Sequence, residues 1–302
     1  MQIETFKVFC DLAEGGSFSK AAVANSVTQS AVSQQIRALE QRFQVTLIER
    51  GRRNFALTAE GEAFLKASRE IVGVYEQLGD RFHSLRNVVG GEIKIATIYS
   101  IGLHELPPYL KTFRVAHPEV EVRVDYRRSW EIYPLVLAGE VDMGFVSYPM
   151  KRTGLLIEPF LKDRLVMICH PEHALARKKS VTLGELQGEK FIAFGPDLPT
   201  RKVIDRYFRE RGLAIKQAVE FDNIETVKRA VEVENGISIV PENTITQEVE
   251  NGTLAVAEIR EPEMWRPLGI LLKRNRARSL ALKEMIALLQ KPHAHGGRAQ
   301  AS

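Results

Sequence analysis

An all-helical module, one long connecting helix and an α/β body is the architecture this sequence predicts, and three observations carry it. Residues 1–57 hold short amphipathic patterns and no proline. Residues 58–85 continue without proline, their apolar positions spaced by four and three. From residue 92 onward short apolar runs alternate with helical periods, which predicts a doubly wound sheet. A chain of 302 residues is long for one core and suits two or three domains. Hydrophobic residues at 44% and charged residues at 26% exclude wholesale disorder, a collagen-like repeat and a membrane bundle. The net charge of +4 admits an anionic partner without requiring one. Cys10 and Cys169 form neither a CxxC pair nor a disulfide framework, which fits a reducing compartment. The N-terminus is acidic as early as Glu4, lacks a basic-then-apolar leader, and no apolar stretch is long enough to span a bilayer. The expectation is a cytoplasmic protein with no membrane partner.

The first helix collects Ile3, Phe6, Val8, Phe9 and Leu12 and stops at Gly15-Gly16; Ser17 is placed to cap a second helix and Thr28 a third. That third helix, QSAVSQQIRALEQRF, separates into two faces. Val32, Ile36, Leu39 and Phe43 fall within roughly 60° of one another and form the expected buried stripe. Opposite them lie Ser30, Ser33, Gln34, Arg37 and Gln41, with Thr28 and Gln29 at the helix start. Serine and glutamine read base edges, arginine takes guanine or phosphate in two-pronged fashion, and a helix N-terminus favours a phosphate. The bland alternative is a solvated polar face. Just beyond, Arg50, Arg52 and Arg53 surround a turn glycine between Leu47-Ile48 and Phe55-Ala56-Leu57, the pattern of a short hairpin with a cationic tip. Beside a recognition helix such a wing contacts backbone phosphates; by itself it is a charged turn.

The stretch from Thr58 to about Leu85 reads as one helix whose row of Phe64, Ser68, Ile71, Tyr75, Leu78, Phe82 and Leu85 has coiled-coil spacing. A partner helix is implied, in a second copy or within the chain. Strands follow at 92–98, 120–126, 142–146, 155–159, 164–169, 190–194, 217–221, 237–240 and 269–274, and helices at 103–115, 130–138, 200–211, 224–234 and 279–290. The tail 292–302 carries no apolar period and is expected to fray.

The phrases GSFSKAA, QSAVSQQIRALE and LTAEGE, in this order and nearly gapless over residues 1 to about 65, resemble the winged helix-turn-helix of LysR-type transcriptional regulators. The likeness continues more loosely through VDMGFV and FDNIETVKRAVEVENGISIVPE. Asn54-Phe55 departs from the general pattern of the wing. The resemblance implies a non-enzymatic, effector-responsive regulator: a winged helix-turn-helix at 1–57, a linker and dimerisation helix at 58–88, and at 92–291 a two-lobed effector domain with the fold of periplasmic binding proteins. Lobe I is expected at 92–160 with 267–291, and lobe II at 161–266. Implied partners are double-stranded DNA with inverted half-sites, a small effector, a homodimer or dimer of dimers, and RNA polymerase; no cofactor is expected.

In open α/β sheets ligands collect at the carboxyl ends of strands, beside helix N-termini. Those ends hold Tyr99 and Ser100, Arg128, Ser147, Thr200 with Arg201, and Asn223. Hydroxyls and guanidinium groups in that setting suit a small anionic metabolite, and nearby Trp130, Tyr148 and Phe194 admit an aromatic one. Any of these residues alone is as readily a helix cap or a surface group. Nucleotide-binding, hydrolase and zinc-protease motifs are absent. Cys169, His170 and His173 form a compact group without a fourth ligand, so no metal is expected. Competing readings are a solute-binding protein or enzyme with a helical appendage, and an architectural DNA binder with a vestigial pocket.

Two variants separate the basic elements. Alanine at Arg52 and Arg53 should weaken binding to every duplex and flatten its salt dependence, because fewer counterions are released. Alanine at Ser33 or Gln34 should change preference among sites by about 1–3 kcal/mol per lost base contact. Competition binding against random duplex measures both, and an unchanged ratio for the Ser33 and Gln34 variants would sink the recognition-helix assignment.

Overall fold

The computed structural model describes residues 2–49, 55–85, 89–234, 236–260 and 262–291. The cationic tip with Arg50, Arg52 and Arg53 and the tail 292–302 lie outside them, as do the side chains of Phe82 and Leu85. The helical module comprises α1 (Ile3–Gly15), α2 (Phe18–Ala24) and α3 (Gln29–Phe43). Gly16 ends α1 in the left-handed region, its N–H on Leu12 O, and Thr28 Oγ1 caps α3 by accepting from Ala31 N at 3.2 Å. Phe9, Leu12, Val32, Ile36, Leu39 and Leu47 close the core. Phe43 corrects the expected stripe: it sits in the last turn of α3, is 46% exposed, and lays only its ring edge on Phe64. The base of the wing is present, Ile48 bridging Leu57 and Glu49 N donating to Ala56 O at 3.0 Å.

Helix α4 (Ala59–Leu85) starts under Thr58, whose Oγ1 accepts from Gly61 N at 2.9 Å. Phe64 packs against Phe6 and Phe9. Further along, Ile71, Tyr75 and Leu78 of the expected row stand exposed, as does Val74 beside them, so the described chain does not bury this stretch.

The body contains β1 (Gly91–Thr97), a π-helical turn (Ile101–Glu105), α5 (Leu106–Ala116), β2 (Val120–Tyr126), α6 (Ser129–Ala138), β3 (Met143–Ser147), β4 (Leu155–Cys169), β5 (Ser180–Thr182), β6 (Lys190–Phe194), α7 (Pro199–Arg209), β7 (Lys216–Phe221), α8 (Ile224–Glu234), β8 (Ile237–Pro241), α9 (Thr246–Glu250), β9 (Ala255–Arg260), β10 (Trp265–Lys273) and α10 (Leu280–Leu289). The sheet order is β2-β1-β3-β10-β4-β8-β6-β7, with β9 bridging β4 and β5. Two parallel trios, β2-β1-β3 and β8-β6-β7, are thus joined by two long antiparallel strands. The doubly wound expectation describes each trio; the whole is a mixed sheet. Apolar clusters cover both faces of each trio, α5 and α10 on one side of the first and α6 on the other.

Two expected strands, 155–159 and 164–169, are one. Lys162 and Asp163 look like a break in the sequence, but β10 pairs alongside them, Asp163 opposite Arg266. Beyond Arg164 the strand changes partners to β8 and β9. The final strand begins at Trp265 rather than at 269 for the same reason, and β5 and β9 lacked a clear sequence signal. Among the described residues no helix is long and apolar enough to cross a membrane, and no group of metal-ligating side chains gathers. His173 Nδ1 is taken up by Leu175 N at 3.2 Å.

Gly144 on β3 lets α6 lie close: a Cβ there would stand 2.4 Å from Ile132 Cγ2 and 2.9 Å from Val136 Cγ2. Gly144→Ala should therefore destabilise the protein by about 1–3 kcal/mol, read as a lower denaturant midpoint at unchanged slope; an unchanged midpoint would show that α6 is free to shift.

Candidate ligand cleft and nucleic-acid interface

The polar side of α3 is open to solvent. Gln29, Ser30, Gln34 and Arg37 are exposed, Ser33 half-buried, and Thr28 Oγ1 lies 2.9 Å from Ser30 Oγ at the helix start. Behind this face Glu40 Oε1 accepts from Leu47 N at 3.0 Å, tying the chain that leads to the wing to the last turns of α3. Rotation of the face relative to the wing base is thereby restricted.

A cleft of about 240 Å³ opens between the two trios. Of the sequence-derived residues it gathers Tyr99, Ser100, Arg128, Ser147, Thr200 and Asn223. Ile98, Phe194, Leu198, Ile224 and Pro241 supply an apolar lining, and Tyr126 packs on Tyr99 at 5.3 Å between ring centroids. The N-termini of α6, α7 and α8 all border it, each with amide groups that favour negative charge. At the first, Glu131 reaches back to accept from Arg128 N at 2.8 Å. At the third, Asn223 is partly committed already, its Oδ1 capping α8 through Thr226 N at 3.0 Å. Arg128 reaches across the mouth to Asp222 Oδ2 at 3.2 Å.

Ser100, Ser147 and Thr200 are 7%, 2% and 7% exposed, and among the described residues none of these hydroxyls has an acceptor for its proton. All three border the cleft, where water or a ligand with acceptor oxygens can take their protons.

Arg201 does not join them and is corrected. One helical step of about 100° beyond Thr200 turns it to β7, where Nε donates to Asp205 at 2.7 Å and Nη1 to Phe194 O and Glu220 at 2.7 and 2.9 Å. Nη2 takes Gln217 Oε1 at 2.8 Å, and the side chain is spent on holding lobe structure.

Sequence reasoning missed the floor of the cleft. Arg266 lies there, buried, with Nη1 donating to Ser100 Oγ at 3.0 Å and Nε to Asp163 Oδ2 at 3.0 Å; Nη2 is also on Asp163. Because an arginine only donates, Ser100 must accept, which leaves the serine proton for whatever enters the cleft. Asp163 is shared further with Asn243, whose Nδ2 also donates to Glu105 Oε1 at 3.1 Å. A charged residue inside the apolar run WRPLGILLK was the available signal for Arg266. Burial first, then the facing Asp163, pushes the Glu105 carboxyl up to about 7.

With the geometry in place, comparison with known proteins is direct. Residues 3–62 match the family described as bacterial regulatory helix-turn-helix protein, lysR family, and residues 86–293 the LysR substrate binding domain. The chain is therefore a DNA-binding transcription regulator with a ligand-binding body. It belongs to the LysR family. The HTH-type transcriptional regulator CysL of Bacillus subtilis is 27% identical over 90% of this chain and 91% of its own length. A probable RuBisCO transcriptional regulator of Cyanophora paradoxa is 30% identical over 93% and 89%. In fold, the chain is similar to full-length OxyR from Pseudomonas aeruginosa (TM-score 0.72, 19% identity, covering 96% of this chain and 93% of that one). It is equally similar to CbnR complexed with its target DNA (TM-score 0.71, 24% identity, 96% and 99%).

Glu105 gives a pH test. Its raised value means the folded state holds a proton that the unfolded state has released, so its contribution to stability is full below about pH 4.5 and falls as pH rises to about 7. Glu105→Gln should remove that slope. The difference in melting temperature between variant and wild type should drift by more than about 2 °C from pH 5 to 8, in favour of the variant at the upper end. A difference that stays constant with pH would mean Glu105 titrates normally.

Proposed function

We propose that this regulator switches its grip on double-stranded DNA in response to a small anionic metabolite held in the cleft between lobe I (92–160 with 267–291) and lobe II (161–266). The observation that carries the reading is the set of nearly buried hydroxyls of Ser100, Ser147 and Thr200, without acceptors among the described residues, beside three helix N-termini. Arg128 favours the same charge, its present partner Asp222 being a carboxylate from the opposite wall. Tyr99, Tyr126 and the apolar lining suit a metabolite with an aromatic or aliphatic body.

On the DNA side, Thr28, Gln29, Ser30, Ser33, Gln34 and Arg37 of the exposed α3 face read bases and the arginines of the wing, Arg50, Arg52 and Arg53, take phosphates. Inverted half-sites require two copies of the module about one helical turn or a multiple apart. The exposed Ile71, Val74, Tyr75 and Leu78 of α4 support a homodimer through this helix, since an apolar row of that length is stabilised by a second helix. Pairing of dimers and contact with RNA polymerase extend the same scheme.

Titration calorimetry with inorganic sulfate and phosphate and with aliphatic and aromatic mono- and dicarboxylates tests the cleft. At least one should bind the wild type, and Ser100→Ala should weaken it about tenfold or more, the loss of one charge-assisted hydrogen bond. Binding unchanged in Ser100→Ala removes that hydroxyl from the site, and a panel without any binder favours the architectural reading.

A further inference from the structure

Helix α6 begins at the cleft and ends beside α4. Arg128 and Ser129 line the cleft at its start; ten residues on, about 15 Å at 1.5 Å per residue, Gly139 takes φ 81 and the chain continues to Glu140. Glu140 Oε1 lies 2.8 Å from Arg69 Nη1 on α4. The same guanidinium places Nη2 3.2 Å from Glu14 Oε1, in the last turn of α1. Inside the module Asp11 of α1 takes Asn25 Nδ2 at 2.6 Å, and α1 shares its core with α3. One arginine thus touches both the end of the helix that leaves the cleft and the module that presents the polar face.

Pro134 removes one backbone hydrogen bond inside α6, so the connection is held by its packing. Ile132, Tyr133 and Val136 of α6 are at most 1% exposed, and Gly144 admits the helix so closely that no added carbon fits between. At its far end Arg276 Nη1 donates to Gly139 O and Val141 O at 3.1 and 3.2 Å. Close packing on both sides of Pro134 limits bending there, so a displacement at the start of α6 is carried toward its end. The joint itself is less well satisfied, because the buried Ser68 Oγ and Arg69 Nε have no hydrogen-bond partner among the described residues. Orphaned polar atoms disfavour the arrangement that buries them, which leaves the joint responsive to small forces.

We propose that Arg69 is the positioning residue through which the cleft sets the pose of the recognition helix: the inter-lobe pull on Arg128 acts on α6, α6 presents Glu140, and Arg69 couples Glu140 to Glu14. This rests on the cleft being the site of control, but its test uses no ligand, so the two can fail separately. Cys10 reports on the joint. It is buried in α1, and burial pushes its thiol up to about 12, with Arg69, Glu14, Asp11 and Glu140 the charges around it. Cys169, buried in lobe II, is an internal control.

The experiment is alkylation of the full-length chain by iodoacetamide, with Cys10 and Cys169 quantified separately by peptide mass spectrometry. Arg128→Glu, which turns the attraction to Asp222 into repulsion, should change the Cys10 rate at least about threefold and leave Cys169 unchanged. In a Glu140→Ala background the same change should have no effect, a coupling of the size seen between interacting residues. A purely structural role for Arg69 and Glu140 would instead give independent, multiplying effects. The proposal is overturned by such independence, by a Cys10 rate indifferent to Arg128→Glu, or by an equal change at Cys169, which would mark general loosening.

Discussion

The pairing of Arg266 with Asp163 is the constraint on which the body depends. Strands β4 and β10 run side by side where the chain passes between lobes, and the two residues face each other in register at that level. Both are almost fully shielded from water. A buried ion pair survives only when the hydrogen-bonding capacity left over is also satisfied. Arg266 uses its surplus on Ser100, and Asp163 uses its own on Asn243, which in turn holds Glu105. Four separate segments are therefore drawn to one point, and the polarity of the cleft floor follows from a requirement of the crossover.

Much of this was legible in the sequence wherever structure is set locally. Helix α3 appears with the bounds its two-faced pattern predicts, because amphipathic period and the Thr28 cap agree. The cleft residues at strand ends were legible for a similar reason, since chain order fixes which loops lie beside helix N-termini. Arg201 failed because a neighbour in a helix points elsewhere, and the four acceptors that take it come from distant strands and the next helical turn. Arg266 and Asp163 are separated by 103 positions, and nothing local distinguishes a charge meant for burial from one meant for water. Phe43 was overcalled because the period continues to the end of α3 while the core does not.

Phe64 decides how the module meets the rest. Its ring lies 5.8, 5.1 and 5.4 Å from those of Phe6, Phe9 and Phe43, so the first turns of α4 belong to the core of the helical module. The linker is not a free hinge at this end. Helix α4 and the module are packed as one unit at this end, with Glu14 and Glu140 as the charged contacts of Arg69 on either side.

The placement of β10 has a consequence for how the chain is made. This strand lies between β3 and β4, in the middle of the sheet, yet is the last of the sheet's strands in chain order. As the chain emerges from the ribosome, the segment from β5 to β9 can gather around the second half of β4, whereas the first trio waits with an open edge at β3. Arrival of Trp265–Lys273 closes that edge and delivers the guanidinium to Asp163 in a single event. Premature termination between β9 and this strand leaves a nascent protein able to fold its helical module but carrying an unpaired sheet edge, a natural substrate for chaperones and proteases.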